Sequence, residues 1–135
     1  MPRVSLAFFI FAALCGLTGM GWGIFMGLTE NHQTFSAHAH LNLLGWVSCS
    51  LMGGFYALAK DHAPSRLAWT NLWLSTFGPV AMIPALAAKL NGVEASWVIA
   101  GISIGSIAAF LGMATFVATV ITVAVRLMKP AAVRA

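Results

Sequence analysis

The chain has 135 residues, of which 60% are apolar and 7% charged, with a formal net charge of +4. That profile excludes an ordinary soluble domain and fits an integral membrane protein. The seven basic and three acidic residues fall in five short clusters: Arg3; Glu30; Lys60, Asp61 and Arg66; Lys89 and Glu94; Arg126, Lys129 and Arg134.

Between those clusters lie four charge-free segments, at about 4–28, 35–59, 67–88 and 96–127. Each can cross a hydrocarbon core of roughly 30 Å, which takes about 20 helical residues. Backbone groups in lipid have no water to bond, so unbroken apolar runs of this length are helices, whereas the strands of a closed barrel would alternate. The expected fold is therefore an all-α integral membrane protein: a single domain over 1–135, with four transmembrane helices in an antiparallel bundle. Arg3, Lys60, Arg66, Arg126, Lys129 and Arg134 fall on one side and Lys89 alone on the other. The positive-inside rule then makes both termini cytoplasmic, in a multi-pass protein of the cell inner membrane. The same asymmetry accounts for the net charge, so nucleic acid is not an expected partner and the lipid bilayer is.

The first span follows Arg3 as a secretion signal would, but its apolar run is longer than a signal core and no A-x-A-like site follows, so it is read as a retained span. It carries Gly16, Gly19, Gly23 and Gly27, the last three in a G-x-x-x-G-x-x-x-G row. Such a row marks close helix packing, or, alternatively, room for a flat cofactor. In the third span Pro79 and Pro84 each remove a backbone donor and are expected to bend the helix. The fourth span has a comparable small face at Gly101, Gly105, Ala108 and Gly112. Cys15 and Cys49, both within spans, read as small buried residues. The seven methionines show no short repeated spacing, which does not support a copper-thioether site.

The second span opens with "FSAHAHLNLLGWV", which places His38 and His40 about one turn inside the boundary. An ionisable side chain at that depth is a candidate functional site; His32 and His62 lie in loops. A two-residue helical step turns about 200°, so His38 and His40 point in nearly opposite directions and do not share one metal. His38 shares its face with Asn42, Gly45, Cys49, Gly53 and Tyr56, and His40 with Leu44, Val47 and Leu51. Either each imidazole ligates a different centre, or both hydrogen-bond to nearby carbonyls and interfacial water.

These residues resemble the catalytic subunit of the haem–copper oxidases and related nitric oxide reductases, in which one helix starts with A-H-x-H and continues to an M-G-G-F-like stretch. Ala37-His38-Ala39-His40 is followed here by Leu51-Met52-Gly53-Gly54-Phe55, and Gly78, Pro84 and Gly92 look like the markers of the next helix. The resemblance covers about 60 residues, Ser36 to Gly92, and the flanking spans by topology only. It implies haem, of b type, held by His38 and His40 as metal ligands, with Asn42, Leu44 and Trp46 completing the cofactor-contact set. It does not support copper. That family has about twelve spans and further histidines for a dinuclear centre, which this chain lacks, so any oxidoreductase activity of that type needs more than the single chain.

Twelve is three times four, and the large subunit has three arcs of four helices, so the resemblance points to a homotrimer in which His38 of one copy faces His40 of the next across a haem. The expected function is a minimal b-type cytochrome for electron transfer or for redox chemistry of O₂ or NO, working with a redox partner or respiratory complex. The alternative is a cofactor-free accessory or assembly subunit of such a complex. A small transporter finds no inverted repeat to support it.

Overall fold

The computed structural model describes residues 1–128; Lys129 and Arg134, which entered the orientation reading, lie outside the described residues. Four helices are long and apolar enough to cross a membrane: α1 (Arg3–Thr29), α2 (Phe35–His62), α3 (Ser65–Leu90) and α4 (Ser96–Met128). No strand occurs among the described residues. The expected spans lie inside these helices, which overrun them slightly at their ends. The overrun is clearest in α3, because Pro64, extended at φ −63° and ψ 122°, feeds the chain straight into its first turn.

The connections at 30–34, 63–64 and 91–95 are short, so successive helices run antiparallel. Two contacts tie the loops down. At the histidine end Gln33 Nε2 donates to Leu90 O (2.6 Å), and at the opposite end Arg126 Nη1 donates to His62 O (2.9 Å). Where α3 stops, the Val93 N–H bonds Ala88 O and the Gly92 N–H bonds Lys89 O, both at 3.0 Å. This double bond pattern needs a left-handed residue, and Gly92 supplies it at φ 83°.

Glycines bring α3 and α4 into close contact. A methyl added at Gly105 would lie 2.7 Å from Gly78 O and Met82 N, and one at Gly101 would lie 2.8 Å from Ala85 Cβ. Gly112 abuts Ser75 in the same way, so the expected small face of α4 is its face toward α3. The rest of α4 is sparsely covered. Of its most apolar window 22% is buried, against 44% for α3.

One core cluster, Phe8, Ala12, Cys49, Met52, Tyr56, Ala68 and Leu72 with Val4, joins α1, α2 and α3 in the half away from the histidines. A second, Cys15, Ala37, Leu41, Met82 and Ile83, joins them in the histidine half. Both cysteines are free and buried, as read from the sequence. Pro79 and Pro84 lie within a continuous α3. Pro79 has no N–H to bond the Ser75 carbonyl four residues back; the Cys49 thiol approaches that carbonyl at 3.9 Å instead.

Candidate functional site

The α2 helix is not uniform. Phe35–His40 and Cys49–Ala59 are α-helical, but Leu41–Ser48 is π-helical, and a 3-10 turn closes the helix at Lys60–His62. In the π segment hydrogen bonds reach five residues back, so the coil is wider and turns through less than the roughly 100° per residue of an α-helix. Side chains follow suit: Ser48 Oγ donates to Leu43 O (2.7 Å) and Cys49 Sγ to Leu44 O (3.3 Å), each five residues back. The consequence is that positions four apart stay in line. Ala37, Leu41, Gly45 and Cys49 form one buried row.

A second such row is His38, Asn42 and Trp46, and it fills the glycine notches of α1. Built methyls at Gly23 and Gly16 would lie 3.2 Å from His38 Cε1 and 3.1 Å from the Trp46 ring, and Asn42 covers Gly19. Lower down, Gly45 receives Cys15 and Gly53 receives Phe8. The glycine row of α1 is therefore a helix-packing seam occupied by side chains of α2, and not a slot kept for a flat cofactor. Its members are Gly16, Gly19 and Gly23. Gly27, expected in the row, has nothing within 4 Å of an added methyl.

His38 is half-buried in this seam. Its ring lies edge-on to Trp22, with centroids 6.3 Å apart, and 6.4 Å from Phe35. The Asn42 amide nitrogen is 3.0 Å from His38 O and 3.3 Å from His38 Nε2. Trp22 is itself fixed by Nε1 donating to Thr34 Oγ1 at 3.2 Å. One of the two side chains expected to be ligands is thus packed, half-buried, within its own hairpin.

His40 is placed differently. Its Nδ1 lies 2.7 Å from the Ser36 carbonyl, four residues back, which assigns the proton to Nδ1. In the neutral ring that hydrogen bond leaves the lone pair on Nε2, directed away from the backbone. It is the only hydrogen bond of the His40 ring among the described residues. Beside it Leu44 packs on the second core cluster, while Val47 and Leu51 are 39% and 68% exposed. The π segment explains why these two are not stacked under His40 as an unbroken α-helix would place them.

Of the five candidate residues, His38, Asn42 and Trp46 are brought together in the α1 seam, and His40 and Leu44 stand apart from them. No group of three or more His, Cys, Asp or Glu side chains converges among the described residues.

A buried polar chain also links α2, α3 and α4. The Tyr56 hydroxyl donates to Asn71 Oδ1 (3.1 Å); Asn71 Nδ2 donates to Ser75 Oγ (3.0 Å) and Gly112 O (2.7 Å). Asn71 is fully buried. The signal for it in the sequence is an amide early in a charge-free span, with a serine one turn on. Its bonds tie three helices together, which assigns it a structural task.

The fold and the site together define a class: a chain of four helices of membrane-crossing length, with one imidazole packed against the neighbouring helix and another bonded to its own backbone near one end. Comparison with protein-family models, with curated proteins and with solved structures finds no match.

Proposed function

We propose that the chain is a haem-binding membrane protein, a b-type cytochrome for electron transfer, in which His40 supplies the axial nitrogen. The carrying observation is the 2.7 Å contact from His40 Nδ1 to Ser36 O, which holds the ring in the tautomer a metal ligand needs. The residues fit such a group in one further respect: the imidazole is half-buried, and Leu43, 60% exposed, lies three residues along the same helix. Bound there, haem would supply one-electron redox chemistry. The protein's part is to fix the tautomer of His40 and to exclude water along the aliphatic surface.

His38 does not fit as well, because its ring faces Gly23 and lies within hydrogen-bonding reach of Asn42. This favours two His40 side chains from two copies of the chain meeting at one haem across a two-fold interface, where equivalent surfaces face each other. Both termini are assigned to the cytoplasmic side of a cell membrane, on the basic residues Arg3, Lys60, Arg66 and Arg126.

The test is a reduced-minus-oxidised optical spectrum of the purified protein with and without CO. A narrow α band unmoved by CO is expected, lost in His40→Ala and retained in His38→Ala. Absence of a Soret band from the protein purified from haem-replete cells refutes the reading. A cofactor-free accessory subunit is the second reading, favoured by the sparsely covered α4; it expects no Soret band, with partner binding lost on substitution along the exposed face of α4.

A further inference from the structure

At the end of the molecule away from the histidines, a cavity of about 800 Å³ opens between the start of α1, the end of α2 and the end of α4. Arg3, Lys60 and Arg126 come to it from those three elements, and Asp61 is the one carboxylate among its lining residues. The sum is two uncompensated positive charges in one concavity. Among the described residues the only hydrogen bond of these four charged side chains is Arg126 Nη1 to His62 O. The cavity at the histidine end differs in kind, being about 440 Å³ and lined by one cation, Lys89, and one carboxylate, Glu94.

Lys60 adds a second observation. It sits at φ 47° and ψ −122°, where glycine is the residue expected, and yet a lysine occupies the position. It lines the cavity together with the two arginines.

We propose that this cavity binds a phosphate-bearing anion, the head-group of an anionic phospholipid. Arginine forks and a lysine point charge are the side chains that hold phosphate oxygens. Lipid is favoured as the source because the other walls include Val4 and Trp69, and because the cavity lies at the ends of helices of membrane-crossing length. Tryptophan is enriched at that depth, and basic pockets between spans take anionic head-groups. The assignment is independent of the histidine site.

The experiment uses the full chain in a neutral detergent, with thermal unfolding followed as dihexanoyl phosphatidylglycerol, dihexanoyl phosphatidylcholine or inorganic phosphate is added. Phosphatidylglycerol is expected to raise the midpoint saturably and phosphatidylcholine to leave it unchanged. Arg3→Gln and Lys60→Gln should each weaken the apparent affinity about fivefold, the effect of one basic group near an anionic surface. Lys89→Gln, at the other end, should not. If inorganic phosphate saturates the site and blocks the phosphatidylglycerol response, the phosphate site stands and its ligand is soluble. Equal responses to the two lipids, or unchanged affinity in Arg3→Gln and Lys60→Gln, overturn the proposal.

Discussion

Single residues carry strain and hydrogen bonds whose cost can be read from their geometry. Lys60, at φ 47° and ψ −122°, stores about 1–3 kcal/mol. Lys60→Gly relieves it, and the greater freedom of glycine in the unfolded chain offsets about 0.5–1 kcal/mol. The net expectation is a protein more stable by about 1 kcal/mol, seen as a raised unfolding midpoint in detergent, and a lowered midpoint contradicts it. Gly92 has the opposite balance. At φ 83°, completing the stop of α3, it should lose about 1–2 kcal/mol on Gly92→Ala although nothing crowds the added methyl. Asn71 holds Tyr56, Ser75 and the Gly112 carbonyl at once. Side-chain hydrogen bonds between membrane helices average about 0.6 kcal/mol each, so losing three gives roughly 2 kcal/mol for Asn71→Ala. An unchanged midpoint would mean that the network is solvated or dispensable.

At the scale of the element, what decides a glycine's importance is the partner helix and not the motif in which it sits. A methyl added at Gly105 would lie 2.7 Å from backbone atoms of α3, and backbone cannot rotate away, so Gly105→Ala must push α3 and α4 apart. A cost of about 2 kcal/mol is expected, within the 1–3 kcal/mol range of overpacking. Gly27→Ala, in the G-x-x-x-G row, meets open space and should stabilise by up to about 1 kcal/mol through helix propensity. Paired thermal scans of the two variants check the contrast. Gly19, Gly23 and Gly27 were legible as a row because spacing alone puts them on one face. Which of them is used was not legible, since the choice depends on where His38, Asn42 and Trp46 fall. That in turn depends on the π winding of Leu41–Ser48, which no proline or inserted residue announces in the sequence. The four long apolar helices were legible, because charge confined to the ends and apolar length fix them without reference to tertiary contacts. The opposite directions of His38 and His40 were legible for the same local reason, both lying in the α-helical first turns of α2. Their different surroundings required the neighbouring helix.

For the whole molecule, the unequal status of the two histidines bears on assembly. A threefold ring with His38 of one copy facing His40 of the next uses one of each per haem, and so holds one haem per chain. With His38 packed against Gly23, Trp22 and Phe35, the proposed ligand is one imidazole per copy, and a haem with two such ligands would join two chains. The two arrangements therefore differ in a ratio that can be measured without any structure of the assembly. Haem assay against protein concentration should give about 0.5 haem per chain, the value that a two-fold contact implies. Light scattering of the detergent-solubilised protein should give an even number of chains. His38→Ala should retain the ratio and the position of the α band, and His40→Ala should lose the haem and dissociate the pair. One haem per chain in a trimer would instead mean that the α1 seam opens at Gly23 to release His38. Partner binding would then have to supply the cost of breaking the contacts with Trp22 and Asn42.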